Sequence, residues 1–136
     1  MTINYNINNK IYKIIFCPDQ EGLKIRKKKK SYMRIANDLL KNYNDKKILL
    51  ILDRNIDKKI TKYIIHDLKI SFPKLKVLFI GGTKRNKNVK IFFKIIDLLF
   101  KNKFTKKSVI ISCGGGVIGD VCGLASSLYL RGLIHY

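Results

Sequence analysis

The residues SVIISCGGGVIGD at positions 108–120 decide the fold of this chain. Val109, Ile110 and Ile111 form a short apolar run bounded by polar and glycine residues, which is typical of a strand covered on both faces. The three glycines that follow permit backbone angles and close approaches that a Cβ would forbid. A helix beginning after them presents N–H groups and the positive end of its dipole, which favours phosphate binding. Taken alone, the same pattern also fits a tight strand-to-helix turn that binds no ligand.

The sequence on either side of this stretch alternates between short apolar runs and segments of helical periodicity. Strands are predicted at 11–16, 48–52, 75–80 and 109–111, with a fifth beginning at Leu133, and helices at 31–41, 56–68 and 89–101. This alternation predicts an α/β fold, a Rossmann-like parallel sheet with flanking helices.

Asp53 directly follows the apolar run Ile48–Leu52. The carboxyl end of a parallel strand is where doubly wound folds bind their ligands, so Asp53 is a candidate ligand contact. It also fits the N-cap of the next helix, because isoleucines follow it at helical spacing, and the two roles are compatible.

The composition indicates one globular domain, with 136 residues of which 46% are hydrophobic. No apolar run is long enough to span a bilayer, and the first residues do not form a secretory signal, so a cytoplasmic location is expected. Cys17, Cys113 and Cys122 lack zinc-site spacing and are expected to be reduced thiols. Beside the glycines, Cys113 also fits a reactive thiol, although a small apolar residue ending a strand is the favoured interpretation.

The formal net charge of +20 would ordinarily indicate a nucleic acid or an anionic membrane as partner. Here the lysines are spread along the whole chain, and isoleucine and asparagine are over-used alongside them. The codons of these three residues are rich in adenine and thymine, so a drift of the genome towards these bases explains the charge. No nucleic-acid-binding module accompanies the charge. We therefore expect neither a nucleic-acid nor a membrane partner. The basic run 26–30 fits a solvated loop, with an anion-attracting patch as the alternative.

The glycine stretch continues into a helix of small residues that ends in an arginine and a glycine. GGGVIGD at 114–120, then Gly123, Ala125 to Ser127 and YLRG at 129–132, closely resembles the signature of the 3-dehydroquinate synthases, members of the sugar-phosphate cyclase superfamily. The resemblance implies an N-terminal α/β domain that binds NAD and a C-terminal helical domain that binds zinc or cobalt. It also implies the cyclisation of 3-deoxy-D-arabino-heptulosonate 7-phosphate to 3-dehydroquinate with release of phosphate, a step of the shikimate route to aromatic compounds.

The resemblance also implies roles for individual residues. The NAD loop of the family is matched by Gly115, Gly116, Val117, Ile118, Gly119 and Asp120. Asp53 and Asn55 resemble the turn on the adenosine side, Lys87 matches the lysine of a Gly-Glu-x-x-Lys element, and Arg131 matches the arginine used on the substrate phosphate. Asp120 would equally stabilise a helix dipole from the first turn, and Arg131 also fits a surface arginine at a helix end.

Two departures from the family pattern stand out. Lys84 occupies the position of the glutamate in the Gly-Glu-x-x-Lys element, with Thr83 at the glycine, and a lysine cannot accept a hydrogen bond from a ribose hydroxyl. The Pro-Thr-Thr segment and the glutamate and histidines that bind the metal would lie beyond Tyr136, and His66 and His135 do not replace them. Residues 1–136 are therefore expected to be an incomplete NAD-binding N-terminal domain that lacks the C-terminal domain and does not catalyse the reaction alone.

The sequence leaves several hypotheses about the whole protein open. The chain is expected to be a fragment, a split enzyme with a separate C-terminal chain, or an inactive remnant with an exposed edge strand at 133–136. A second copy of the chain, in a homodimer, is the other candidate protein partner. Another sugar-phosphate cyclase is one rival, since the discriminating residues lie in the missing part. A stand-alone basic nucleotide- or nucleic-acid-binding protein is another.

Overall fold

The computed structural model describes residues 2–7, 10–15 and 46–136. Two sequence predictions lie outside these residues: the role of the basic run 26–30 and the helix at 31–41. The prediction for Cys17 lies outside them as well.

The first described element is an antiparallel hairpin formed by β1 (Thr2–Ile7) and β2 (Lys10–Ile15), which forms a two-stranded sheet of its own. Tyr5 lies opposite Tyr12 in its register. The strand predicted at 11–16 is thus confirmed to within one residue. Strand β1 was not predicted, although Ile3, Tyr5 and Ile7 alternate with polar residues at the period of a strand.

A parallel sheet of four strands carries the rest of the described chain. Its strands are β3 (Ile48–Asp53), β4 (Lys76–Ile80), β5 (Val109–Cys113) and β6 (Ile134–His135), in the order β4-β3-β5-β6. Every neighbouring pair is parallel. All six residues of β3 are buried, since β3 has a strand on either side and helices over both faces. The predicted α/β fold with a parallel sheet is confirmed.

Helix α1 (Lys58–Ser71) follows β3 and is capped by Asp57. Asp57 Oδ1 accepts hydrogen bonds from the backbone N–H groups of Lys59 at 2.7 Å and Ile60 at 3.2 Å. The expectation that Asp53 caps this helix is therefore wrong. A turn closed by the N–H of Ile56 donating to the carbonyl of Asp53 separates the strand from the helix, which leaves Asp53 too early in the chain to cap it.

Helices α2 (Val89–Lys101) and α3 (Gly116–Leu128) cover the opposite face of the sheet from α1. Helix α2 has the predicted bounds and is capped by Asn88, whose Oδ1 accepts from Ile91 N at 3.0 Å. Ile95 and Leu99 of α2 pack with Ile118 and Ala125 of α3 in one core, whereas α1 packs in a second core on the other face.

A 3₁₀ turn (Tyr129–Arg131) connects α3 to β6. Leu130 and Arg131 both have left-handed backbone angles, with φ of 50° and 67°, and Gly132 follows at 119°. The buried hydroxyl of Tyr129 anchors the turn by donating to the carbonyl of Phe104 at 3.1 Å. In the described part of the chain, no helix has the length and apolar character needed to cross a membrane.

Candidate functional site

The carboxyl edge of the parallel sheet contains the point where the chain changes direction across the sheet. From the central strand β3 the chain moves to β4 on one side, then crosses to β5 on the other. Loops leaving β3 and β5 therefore diverge and open a crevice, which is the usual ligand site of such folds. Asp53 ends β3 and Gly114 follows β5, so the structure brings the two predicted cofactor segments together at this crevice.

Asp53 is nearly buried at this edge, with 9% of its surface exposed. Its Oδ1 accepts two backbone hydrogen bonds at 3.0 Å, from the N–H of Asn55 and from the N–H of Gly82. One carboxylate oxygen thus joins its own turn to the turn after β4. Asn55 itself is exposed beside the crevice.

The three glycines after β5 serve different purposes. A Cβ on Gly114 would lie 2.7 Å from Cγ1 of Ile118 and 3.1 Å from Cβ of Asp53, so the chain's own packing requires glycine there. A Cβ on Gly115 or Gly116 would meet no described atom within 4 Å, and the same holds for Gly119. None of these residues has a positive φ. These glycines therefore do not use left-handed angles, and what Gly115 and Gly116 provide is open space beside the backbone.

The first turn of α3 borders that open space. Gly115 is its N-cap, and no side chain among the described residues caps it. The N–H groups of Ile118 and Gly119 donate to the carbonyl of Gly115. Ile118 is 1% exposed and its side chain belongs to the core, so within the predicted NAD loop it can contribute only backbone atoms to a ligand. An uncapped helix start beside side-chain-free backbone fits the phosphates of a dinucleotide.

Lys87 and Asp120, two predicted cofactor contacts from different loops, form an ion pair of 2.8 Å between Nζ and Oδ2. Both side chains are more than half exposed, so the pair contributes little stability and can be replaced by contacts to a ligand. Asp120 lies beyond the first turn of α3, because the helix begins at Gly116. The alternative that Asp120 stabilises the dipole from the first turn is therefore wrong, since that effect fades within one turn.

An apolar groove of about 360 Å³ runs from this ion pair along the seam between α2 and α3. Four of its lining residues are large apolar side chains that are more than half exposed: Val89, Phe93, Leu124 and Leu128. Lys84, which the sequence resemblance places at the position of a glutamate, opens the nearby 3₁₀ turn (Lys84–Asn86) with an exposed side chain.

Arg131 does not join the other predicted site residues. It follows α3, whose 13 residues span about 20 Å, and therefore lies at the amino edge of the sheet. An arginine side chain cannot cover that distance to the glycine loop at the helix start. The structure thus divides the predicted residues into a group at the carboxyl edge and a single arginine at the opposite edge.

Among the described residues, His135, Cys113 and Cys122 fill structural positions, whereas His66 is exposed beside Asp67. His135 Nε2 lies 2.9 Å from Ser112 Oγ, and burial lowers the pKa of this imidazole. Cys122 is fully buried, which raises the pKa of its thiol to about 12. Cys113 ends β5 and packs against the core under α1, as a small apolar residue would. In the part of the chain that the structure describes, no three His, Cys, Asp or Glu side chains cluster as a metal site would require.

Sequence reasoning missed two features of this edge. Gly82 was not a predicted site residue, yet its N–H binds Asp53 and its missing side chain makes room for that carboxylate. The pair Gly81–Gly82 at a strand end was a usable signal, because glycine there often marks close backbone approach. The Ser112–His135 contact carried no signal, since it depends on the pairing of β5 with β6.

Comparison with known protein families and curated proteins supports one family. Residues 77–136 match the model of the 3-dehydroquinate synthase N-terminal domain. The chain is 30% identical over 131 residues to a 3-dehydroquinate synthase of Clostridium kluyveri, covering 96% of this chain and 33% of the relative. It is 34% identical over 110 residues to the enzyme of Pelagibacter ubique, covering 73% and 29%. The chain thus spans about a third of the length of these relatives.

Solved structures share the fold. A 2-deoxy-scyllo-inosose synthase, complexed with carbaglucose-6-phosphate, NAD⁺ and Co²⁺, aligns with a TM-score of 0.72 at 15% identity, covering 99% of this chain and 33% of that one. A 2-epi-5-epi-valiolone synthase of Streptomyces hygroscopicus, with NAD⁺ and Zn²⁺ bound, aligns with a TM-score of 0.61 at 22% identity, covering 73% and 28%. At these identities the likeness concerns the fold alone.

Proposed function

The chain belongs to the 3-dehydroquinate synthase family, whose N-terminal part it matches, and from that premise we propose that residues 1–136 are the NAD-binding N-terminal domain of such an enzyme. The proposed reaction is the NAD-dependent cyclisation of 3-deoxy-D-arabino-heptulosonate 7-phosphate to 3-dehydroquinate with release of phosphate. It would supply the shikimate route to aromatic amino acids.

The observation that carries the proposal is the open backbone at the start of α3. Gly115 and Gly116 leave space that no described atom of the chain fills, beside a helix start without a side-chain cap. We assign this space to the pyrophosphate of NAD, with the backbone of residues 115–119 approaching it closely. The turn of Asp53 and Asn55 would face the adenosine side, and Lys87 and Asp120 would bind the cofactor from the rim. When bound, NAD supplies the transient oxidation and re-reduction of a substrate alcohol.

The described residues do not provide the divalent metal site, zinc or cobalt, that the family implies. We propose that these ligands come from parts of the protein outside the described residues or from a separate C-terminal chain. No catalytic residue is assigned within residues 46–136 for this reason.

Arg131 retains its proposed role on the substrate phosphate, but its place limits which substrate it can reach. Because about 20 Å of helix separates it from the glycine loop of its own chain, we propose that it serves a substrate bound elsewhere, as in a homodimer. The guanidinium fork suits a phosphate, and the exposed position leaves it available.

We further propose a cytoplasmic location, since Cys113 and Cys122 remain thiols, as is usual in reducing compartments.

Titration with NAD tests the proposal directly. We expect the unmodified protein to bind NAD in calorimetry, and Gly115→Ala and Gly116→Ala to weaken binding about tenfold or more, because each new methyl enters the phosphate space. Their urea unfolding midpoints should not fall, since neither methyl meets an atom of the chain and alanine restricts the unfolded chain more than glycine does. Gly123→Ala is the matched control, with its Cβ at an ordinary contact of 3.8 Å from His135. It should leave NAD affinity unchanged and should not lower the unfolding midpoint, because alanine is favoured over glycine inside a helix.

Two outcomes would contradict the proposal. Unchanged NAD affinity in both glycine variants would remove the pyrophosphate from this loop. An unmodified protein that ignores NAD but binds duplex DNA with a steep salt dependence would favour a basic nucleic-acid-binding protein instead.

The substrate separates 3-dehydroquinate synthase from the neighbouring cyclases. The solved neighbours include a 2-deoxy-scyllo-inosose synthase and a 2-epi-5-epi-valiolone synthase, so a different sugar phosphate is the second candidate. Phosphate release from 3-deoxy-D-arabino-heptulosonate 7-phosphate, measured against other sugar phosphates in the native-length protein, decides between them.

A further inference from the structure

Three turns meet at Asp53 on the carboxyl edge of the sheet. The turn after β3 contains Asp53, the turn after β4 contains Gly82, and the turn after β5 begins at Gly114. Asp53 Oδ1 accepts from Asn55 N and Gly82 N, both at 3.0 Å. The backbone N–H of Arg54 adds a bond of 2.9 Å to the carbonyl of Ile80, which joins the first two turns again.

Missing side chains make this arrangement possible. A Cβ on Gly82 would lie 2.8 Å from Cγ of Asp53 and closer still to Oδ2, so even an alanine would displace the carboxylate. A Cβ on Gly114 would lie 3.1 Å from Cβ of Asp53. Gly82 does not have a positive φ, so a methyl group would be harmful there through this contact and not through backbone strain.

We propose that Asp53 is a positioning residue: its carboxylate, admitted by Gly82, joins the turns after β3 and β4, and its Cβ packs beside Gly114 at the start of the turn after β5, so that the three turns form one edge for the cofactor. This inference rests on the proposed function. It gives Asp53 a different role from a charged contact to the cofactor: both bonds of Oδ1 go to backbone N–H groups, and little of the side chain is exposed. It also makes Gly82 and Gly114 part of the site, through the space that they leave beside Asp53 and not through a contact with NAD.

The arrangement predicts an interaction between positions 53 and 82 that a double-mutant cycle can measure in the native-length protein. Gly82→Ala alone should lower the urea unfolding midpoint and weaken NAD binding about tenfold or more, because the carboxylate must move and both turns follow. Asp53→Ala should weaken NAD binding to a similar extent. Adding Gly82→Ala to Asp53→Ala should change NAD affinity by less than about twofold, since no carboxylate remains to be displaced.

The conservative variant Asp53→Asn separates positioning from charge. Its amide oxygen can accept the same two backbone hydrogen bonds, so we expect NAD affinity within about threefold of the unmodified protein. Gly123→Ala serves again as the matched glycine control, with no close contact to its Cβ. All affinities are measured at a temperature where each variant is fully folded.

Each contrary result overturns a defined part of the inference. Additive effects of the two substitutions would show that Asp53 and Gly82 do not interact. A loss in Asp53→Asn as large as in Asp53→Ala would show that the charge contacts the ligand. A lowered midpoint in Asp53→Ala with unchanged NAD affinity would reduce the contact to a stabilising one. If the unmodified protein does not bind NAD, the proposed function fails, and the coupling in unfolding midpoints still decides whether Asp53 and Gly82 are linked.

Discussion

The two edges of the parallel sheet hold their loops in different ways. At the carboxyl edge a single carboxylate, Asp53, binds two backbone N–H groups, and glycines leave the surrounding backbone bare. At the amino edge long side chains reach across to carbonyl groups. Lys47 Nζ donates to the carbonyls of Asn102 at 2.7 Å and Lys103 at 3.1 Å, and the hydroxyl of Tyr129 donates to Phe104.

The candidate ligand edge is therefore marked by glycines that leave the backbone bare around one buried carboxylate, and not by an accumulation of lysines. Lysines are abundant in the sequence and dominate its net charge of +20, yet the space for a ligand at this edge is provided by glycines, which have no side chain. If so, substitutions at the two edges should have separable effects: on NAD binding at the carboxyl edge and on stability alone at the amino edge.

The largest effect is expected from Tyr129→Ala at the amino edge. This change removes a ring that is 9% exposed together with its hydrogen bond, and should lower the free energy of unfolding by about 3 kcal/mol. NAD affinity of the folded protein should not change, because the ring lies at the far end of α3 from the glycine loop. Urea unfolding and calorimetry measure the two quantities. Tyr63→Ala, at 57% exposure, is the control and should cost less than about 0.5 kcal/mol.

A fall in NAD affinity in Tyr129→Ala, measured under fully folded conditions, would contradict the separation of the two edges. It would mean that α3 transmits changes from one edge of the sheet to the other.

A smaller effect concerns the pH dependence of stability and involves His135, between the two edges. Burial lowers the pKa of this imidazole from its ordinary value of 6.5, so the unfolded chain binds a proton more readily than the folded one. Stability is therefore fully present above pH 6.5 and should fall as the pH drops below it towards the folded pKa. His135→Gln, which removes the titrating ring, should flatten this part of the profile in urea unfolding at successive pH values. An unchanged slope in that variant would assign the pH dependence to other groups.

The smallest effect is expected at Leu130, whose left-handed φ of 50° is costly for a leucine. Asparagine adopts this conformation more readily, so Leu130→Asn should raise the free energy of unfolding by about 0.5–1 kcal/mol. Leu128→Asn, in the last residue of α3, is the matched control and should bring no gain. Equal losses in both variants would show that apolar contact of Leu130 outweighs its backbone strain.

The sequence predicted the parallel sheet and the bounds of α2 because these depend on local periodicity. The apolar run Ile48–Leu52 of β3 and the regular apolar spacing of α2 can be seen in the sequence without knowledge of what they pack against. The hairpin strand β1 was missed although its alternation is present in the sequence. The N-cap of α1 was assigned to Asp53 and is Asp57. The spacing of the apolar residues does not show how long the turn between the strand and the helix is.

The candidate site was predictable as a set of residues but not as an arrangement. The glycine loop and Asp53 were found from strand ends and from family resemblance, and the structure brings them to one crevice. The ion pair between Lys87 and Asp120 and the contact of Gly82 with Asp53 join loops that are distant in sequence. Only the pairing of β3 with both β4 and β5 brings them together, so local patterns could not predict these contacts.

Strand β3 leaves the ribosome well before its partner β5, although the two lie side by side in the finished sheet. Until β5 arrives, one edge of the apolar run Ile48–Leu52 has unpaired backbone groups, which is the kind of segment that promotes aggregation. Lys46 and Lys47 precede this run and Arg54 follows Asp53 directly after it. Charged residues in such flanking positions act as gatekeepers against self-association. The lysines beside β3 would thus protect the nascent chain during the interval in which the candidate site does not yet exist.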